Sequence, residues 1–424
     1  MAGLTDELRW RGLVHQATDE ALFERLDADR LTFYVGFDPT ADSLGIGNLL
    51  QLCTVRRLQD AGHRPLLVAG GGTGTIGDPG GKSDERPLLS TEQLAANLAG
   101  IRRQLERFAD FEAGALLLDN GEWLAPLRLL DFLRDVGKHA TVNAMIAKDS
   151  VRARLEERER GISYAEFSYM LLQAFDFLHL FDVHGCTLQI GGSDQWGNIV
   201  TGVDLIRRVR GSQAFGVTTP LVLRADGTKF GKSEAGNLWL AAARTSPYQL
   251  FQAFLRVEDA VVGRYLRFFT WLDRDAVEAL DEATGTRPAE RRAQRALARE
   301  VVGLVHGAGE AAAAERAAAA LFSEDLAGLD EPTLLEVMAE APSSSVPRSS
   351  LDGPGLALVE ALASSGLSPS RSAARTAVEQ GGAYVNNRRQ QDLDARLTRA
   401  DLLHDRYVVL RRGKRDHHLL RVEG

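Results

Sequence analysis

Three features of this 424-residue chain predict an α/β protein on a parallel sheet, followed by a helical domain and a small α+β domain. Across the first half, short apolar runs alternate with longer helical patterns, the signature of βαβ units. From about residue 246 to 322, strand signals vanish and helical periodicity continues into the Ala-rich stretch 311–320. Residues 341–355 then hold three Pro and five Ser, a linker composition, and a compact mixed pattern follows. The expected bounds are therefore 1–245 for the parallel-sheet domain, 246–340 for the helical domain, 341–355 for the linker and 356–424 for the last domain.

Taken in order, Phe33–Phe37 (FYVGF) reads as a strand and Leu49–Ala61 as a helix. Pro65–Ala69 is a second strand, followed by helical patterns at Thr91–Phe108, Trp123–Arg134 and Ser163–Phe181. Thr187–Ile190 is a short strand, and Asp194–Arg210 the helix after it. In the tail, a helix near Ser368–Gln380 precedes strands at Ala383–Val385 and Tyr407–Arg411, with a turn at Asn386-Asn387.

Bulk properties narrow the class. Hydrophobic and charged fractions of 44% and 25% are those of a soluble globular protein long enough for several cores. Cys53 and Cys186 are too few for a disulfide framework, and no Cys/His cluster suggests a metal. No signal core or long apolar stretch is present, so a cytoplasmic protein without a membrane partner is expected. The net charge is −8, yet residues 371–415 carry 11 Lys/Arg against 5 Asp/Glu. A basic module on an acidic body is the footprint of a polyanion partner.

The helix at Ser163–Phe181 is apolar on nearly every side, which marks it as buried. Tyr169, Gln173 and Asp176 fall on one of its faces, at spacings of four and three. A carboxylate and an amide inside an apolar helix need hydrogen-bond partners. Those partners are either a satisfied core network or a small polar ligand with a donor at its far end, and a phenol fits the second.

Gly72-Thr-Gly-Thr-Ile-Gly77 satisfies the dinucleotide pattern GxGxxG, but Asp78-Pro79-Gly80-Gly81 prevents the helix that the pattern needs. A phosphate-accessible loop or a plain surface turn remain as readings, with Lys82 and Arg86 at its exit. Gly45-Ile-Gly47-Asn48 opens a helix after Asp38-Pro39-Thr40, either an anion site at a helix N-terminus or an ordinary strand–turn–helix cap. Gly192 and Asp194 lie between a strand and a helix, at the sheet edge where ligands bind. Lys229-Phe-Gly-Lys232-Ser233 is a loop with two ammonium groups, suited to a triphosphate or simply solvated.

Together and in order, these segments resemble the bacterial-type tyrosyl-tRNA synthetases, class I aminoacyl-tRNA synthetases. The similarity runs through Trp10-Arg-Gly-Leu13, Gly36-Phe-Asp-Pro-Thr-Ala-Asp-Ser43, Phe132-Leu-Arg-Asp-Val-Gly-Lys-His139, Leu188-Gln-Ile-Gly-Gly-Ser-Asp-Gln-Trp-Gly-Asn198, Ala225-Asp-Gly-Thr-Lys-Phe-Gly-Lys-Ser233 and Thr245-Ser-Pro-Tyr248. The resemblance implies a Rossmann-like catalytic domain, an anticodon-binding helical domain and an S4-type RNA-binding tail. It implies activation of L-tyrosine by ATP, with Mg²⁺, transfer to tRNA(Tyr), and a homodimer.

The same resemblance implies that Tyr34 and Asp176 hold the tyrosine hydroxyl, and that Asp78, Tyr169 and Gln173 hold its ammonium. Gln189 and Gln195 would shape the pocket. Gly36, Asp38, Thr40, Gly47 and Asn48 would surround ATP, with Gly192 and Asp194 at its ribose. Lys229, Lys232 and Ser233 match the mobile KMSKS signature, and the lysines would clamp pyrophosphate with Lys82 and Arg86. The HIGH signature departs from pattern. Asn48 is an acceptable variant at its last position, but Gly45 replaces the first histidine, and Val35 offers no polar group. A slow or inactive paralogue that retains tyrosine and RNA binding is the alternative that Gly45 raises. An oxidoreductase using Gly72–Gly77 is a more distant one.

Overall fold

The computed structural model describes residues 3–78, 89–148, 151–152, 155, 161–233, 236–320, 326–339, 341–413 and 416–423. The chain divides into two compact units, 1–246 with 256–297, and 247–255 with 298–424.

The first unit is built on a six-stranded sheet of order β1-β6-β5-β2-β3-β4. Its strands are β1 (Gln16–Ala17), β2 (Thr32–Phe37), β3 (Arg64–Ala69), β4 (Leu116–Asp119), β5 (Cys186–Gly192) and β6 (Phe215–Thr219). All neighbours pair in parallel except the edge strand β1, which runs antiparallel to β6. β3 is buried along almost its whole length, because helices cover both faces of a parallel sheet. The order reverses direction at β2 and β5, the switch point whose carboxyl edge forms a crevice.

Three helices position that crevice: α1 (Ile46–Asp60), α2 (Tyr164–His184) and α3 (Trp196–Arg210). α2 starts at Ser163, whose hydroxyl accepts from the Glu166 N–H while the Glu166 carboxylate accepts from the Ser163 N–H. It stops at Gly185, in the left-handed conformation at φ 64°. Its apolar flanks, Ala174, Phe177, Leu178 and Leu180, pack with Tyr34, Leu66 and Val68 of the sheet.

Several expectations needed correction. The single helix expected at Trp123–Arg134 is two pieces, Gly121–Leu124 and Leu129–Asp135, because Pro126 interrupts the run. Gly72–Gly77 needed none: as the sequence Asp78-Pro79 implies, it starts no helix and forms only a 3₁₀ turn at Thr73–Thr75. The described part of 246–322 is mostly helical, but it does not form one body. Asp259–Phe269 and Arg274–Thr286 belong to the first unit. There the buried Arg11 and Arg57 both donate to the Thr270 carbonyl beyond the end of Asp259–Phe269.

The second unit joins helices Pro247–Leu255 and Ala308–Ala320 to the C-terminal residues. The composition of 341–355 suggested a linker, yet Ser343–Pro347 is a strand pairing in parallel with Asp416–Glu423. The five-stranded sheet it completes also contains Ala383–Val385, Arg388–Gln390 and Tyr407–Arg412. Leu334 and Met338 pack with Leu403, Tyr407, Val409 and Leu419, so the C-terminal sheet shares a core with helix Glu331–Val337. The signal missed in 341–355 is that Ser is compatible with an exposed edge strand. No described helix is long and apolar enough to cross a membrane.

Candidate active site

The carboxyl edge of the first unit's sheet opens into a cavity of about 420 Å³. Tyr34, Gly36, Asp38, Thr40, Gly47, Asn48, Asp78, Tyr169, Gln173, Asp176, Gln189, Gly192, Asp194, Gln195, Lys229 and Lys232 all line it. Lys82 and Arg86 lie outside the described residues. Ser233 ends strand β7 (Lys232–Ser233), beside the lining Lys232. A second cavity, about 370 Å³, lies between residues 139–148 and the faces of α2 and α3, and holds none of these residues.

The inner end of the first cavity is closed by Tyr34 on β2 and Asp176 on α2, both almost fully buried. Asp176 accepts hydrogen bonds from Asn120 Nδ2 at 2.9 Å and Trp123 Nε1 at 2.7 Å. Burial pushes its carboxyl up to about 7, against the lowering by those two donors. The Tyr34 hydroxyl donates to the Gln173 carbonyl at 3.4 Å, and burial, with Asp176 beside it, holds its pKa well above the usual phenol value. Because a phenol can donate to the carboxylate and accept from another hydroxyl, this end suits an aromatic hydroxyl.

Asn120, Trp123 and Thr73 are the side chains that sequence reading missed. Asn120 follows β4 at the sheet's carboxyl edge, and its Oδ1 accepts from the Gly72 N–H at 2.8 Å. Its amide also donates to Thr73 Oγ1, which in turn donates to Asp38 Oδ1 at 2.8 Å. The glycine-rich run therefore contributes a scaffold for carboxylates here. The available signal was a polar Asp119-Asn120 pair directly after an apolar strand, which the edge rule marks as site-facing.

A second polar layer lies beside the first. The Tyr169 hydroxyl donates to Asp38 Oδ2 at 2.7 Å, tying the expected ammonium group to a residue expected beside ATP. Gln195 Nε2 donates to Asp78 Oδ2, and Asn198 Nδ2 donates to Gln173 Oε1 at 3.0 Å. Gly77 sits at φ 85°, a left-handed turn that brings Asp78 to the cavity wall. Asp38, Asp78 and Asp176 make this part of the cavity anionic, so it favours a cation such as an ammonium.

The mouth has the opposite character. α1 points its N-terminus at the cavity, and Asn48 Oδ1 accepts from the Gly45 N–H at 3.3 Å. Gly45 is extended, at φ −97° and ψ 176°, and an added Cβ would meet only the Leu238 carbonyl, at 3.4 Å. The backbone therefore does not demand glycine there. Lys229 lies 3.9 Å from Asp194 as a half-exposed pair of little strength. The positive end of the α1 dipole and two ammonium groups are suited to phosphate. Among the described residues no cluster of three or more His, Cys, Asp or Glu could hold a metal ion.

A site that is anionic within and cationic at its mouth fits an amino acid beside a nucleotide, and similarity to known proteins agrees. The pattern of tRNA synthetases class I (W and Y) matches residues 26–323, and that of the tyrosine–tRNA ligase SYY-like C-terminal domain matches 338–420. The chain is 53% identical over 425 residues to the tyrosine–tRNA ligase of Roseiflexus castenholzii, covering 100% of both. It is 50% identical over 423 residues to that of Geobacillus stearothermophilus, covering 99% of each. A C-terminally truncated mitochondrial tyrosyl-tRNA synthetase from Aspergillus nidulans superposes with a TM-score of 0.68 at 32% identity, over 76% of this chain and 95% of that one. The fold is shared with the Archaeoglobus fulgidus enzyme, at TM-score 0.55 and 19% identity, over 73% of this chain and 99% of that one. These likenesses span both ends of the sequence and do not favour an oxidoreductase or an inactive paralogue, so the chain belongs to the tyrosine–tRNA ligases, class I aminoacyl-tRNA synthetases.

Proposed function

We propose that this chain activates L-tyrosine with ATP and transfers it to tRNA(Tyr). The observation that carries this reading is the inner end of the cavity, where buried Asp176 is held by Asn120 and Trp123 beside Tyr34. A tyrosine hydroxyl meets Asp176 and Tyr34, and its ammonium meets Asp78, Tyr169 and Gln173. Gln189 and Gln195 frame the rest. ATP lies over Gly36, Asp38, Thr40, Gly47 and Asn48, with its ribose at Gly192 and Asp194. Mg²⁺ would arrive with the nucleotide and would supply charge neutralisation for its phosphates.

Positioning and charge stabilisation do the work, with no covalent enzyme intermediate. The tyrosine carboxylate oxygen bonds to the α-phosphorus while the bond from that phosphorus to the bridging oxygen breaks. Pyrophosphate departs with that oxygen and its electron pair toward Lys229, Lys232 and Ser233, with Lys82 and Arg86. The terminal ribose hydroxyl of the tRNA then attacks the adenylate carbonyl, releasing AMP.

The helical and C-terminal parts bind the anticodon region and RNA backbone, using the basic residues of 371–415. Exposed apolar side chains, including Leu130 at 77% and Tyr164 at 72%, support a homodimer. Helices Leu129–Asp135 and Val142–Ile146 and the start of α2 pack around Met145 and Met170, so these side chains share one region. We place the protein in the cytoplasm. Tyrosine-dependent ATP–pyrophosphate exchange, followed by charging of tRNA(Tyr), tests the reading. A protein that exchanges with no amino acid would overturn it.

A further inference from the structure

The mouth of the cavity holds a side chain that no motif singles out. Strand β7 pairs antiparallel with β8 (Gly236–Asn237), and Asn237 stands directly across from Lys232. Opposed residues of an antiparallel pair project from the same face, with Cβ atoms about 4.5–5.5 Å apart. Both residues line the cavity, together with Gly45, Gly47 and Asn48 at the N-terminus of α1. Asn237 is exposed and its carboxamide has no hydrogen-bond partner among the described residues.

The backbone on its C-terminal side is fixed against that helix start. The Leu238 carbonyl accepts from the Ile46 N–H at 3.2 Å, and the Leu238 N–H donates to the Gly231 carbonyl at 2.9 Å. Trp239 bridges Gly45 antiparallel, and the Leu240 N–H donates to the Leu44 carbonyl at 2.8 Å. This short ladder runs along Leu44–Ile46, and Asn237, just before it, lines the cavity with Gly47. A carboxamide donor is thus delivered to the phosphate side of the cavity, two residues before Trp239, which bridges Gly45.

We propose that Asn237 is a catalytic residue of this chain, donating a hydrogen bond to the departing pyrophosphate and supplying the donor that Gly45 lacks. This rests on the tyrosine-activating reading above. As the bond from the α-phosphorus to the bridging oxygen breaks, negative charge gathers on the pyrophosphate oxygens. The Asn237 N–H₂ meets one of them beside the Lys232 ammonium and moves no proton. Its contact strengthens with charge, so it acts on the rate of adenylate formation and not on tyrosine binding.

Single-turnover formation of tyrosyl-adenylate tests the proposal in four full-length proteins: wild type, Asn237→Ala, Gly45→His, and the two changes combined. A lost hydrogen bond to a charged group predicts a rate about 10- to 100-fold lower for Asn237→Ala, at an unchanged tyrosine dissociation constant. Asn237→Asp, which repels the pyrophosphate, falls further. With Gly45→His present, the penalty for losing Asn237 shrinks to a few-fold, because a second donor occupies the same region. A wild-type rate for Asn237→Ala, or an equal penalty in both backgrounds, overturns the assignment. A wild-type protein that forms no tyrosyl-adenylate overturns the underlying function, which is a different outcome from a normal wild type with an indifferent Asn237.

Discussion

The inner end of the cavity is fixed by strands and a long buried helix, whereas its mouth is made of loops and a helix N-terminus. At the inner end, Asp176 has both donors in place and Tyr169 is tied to Asp38 before any substrate arrives. At the mouth, Lys229 is half exposed and only weakly paired with Asp194, and the Asn237 carboxamide has no hydrogen-bond partner among the described residues. The difference teaches how recognition and chemistry are divided. Selection of a hydroxyl needs a rigid site whose polar groups are unpaired by the wrong ligand, while phosphate transfer needs groups free to follow moving charge.

The sharpest way to break this comparison is Asp176→Ala. Discrimination of about 10⁴–10⁵ against phenylalanine is the established value for tyrosyl-tRNA synthetases themselves, not a figure obtained from this cavity. The variant should lose most of that preference and bind tyrosine poorly, as read by the ratio of kcat/KM for the two amino acids. Preserved selectivity would move recognition elsewhere. At the mouth, Lys232→Ala should slow adenylate formation about 10²–10³-fold while leaving tyrosine affinity intact, measured by stopped-flow. A matching loss of tyrosine affinity would erase the distinction between the two ends.

A smaller effect comes from the supports of Asp176. Asn120→Ala and Trp123→Phe each remove a donor that lowers its pKa, so the carboxyl should move further above about 7. A phenol donates to the ionised form, so tyrosine binding to the wild type should strengthen as pH rises from about 6 to 8. In these variants the midpoint shifts alkaline, and in Asp176→Asn the dependence disappears, as titration calorimetry would read. The sign for stability is opposite. The folded-state pKa lies above the ordinary 3.8, so the fold binds a proton more tightly and its stability falls as pH rises from about 4 to 7. Asp176→Asn should flatten that slope.

The smallest expected effects lie in the second unit. Arg375→Ala and Arg388→Ala remove exposed cations and should each lower the salt slope of tRNA binding by about one. Pyrophosphate exchange should be unaffected. Point changes are the right tool, because ending the chain near Ala341 would strip the cover from Leu334 and Met338.

Much of this was legible before the structure. The burial of Ser163–Phe181 and the placing of Tyr169, Gln173 and Asp176 on one face follow from helical period alone, and all three line the cavity. β2, β3 and β5 were visible as apolar runs, as was the helix start at Gly45–Asn48. Asn120 was not, since a single amide after a strand has no periodic signature and its role depends on where α2 passes. Ser343–Pro347 was hidden for a similar reason. Its strand character comes from pairing with Asp416–Glu423, a contact made more than 70 residues away. Pro126 was legible and overlooked; it breaks a helix wherever it falls inside one.

The most direct test of the central claim is amino-acid-dependent ATP–pyrophosphate exchange by the full-length protein, run with tyrosine, phenylalanine and tryptophan. Exchange with tyrosine alone, abolished by Asp176→Ala and slowed by Lys232→Ala, is the predicted result. Exchange that proceeds equally with phenylalanine, or persists unchanged in Asp176→Ala, would contradict a cavity built around a buried carboxylate awaiting a phenol.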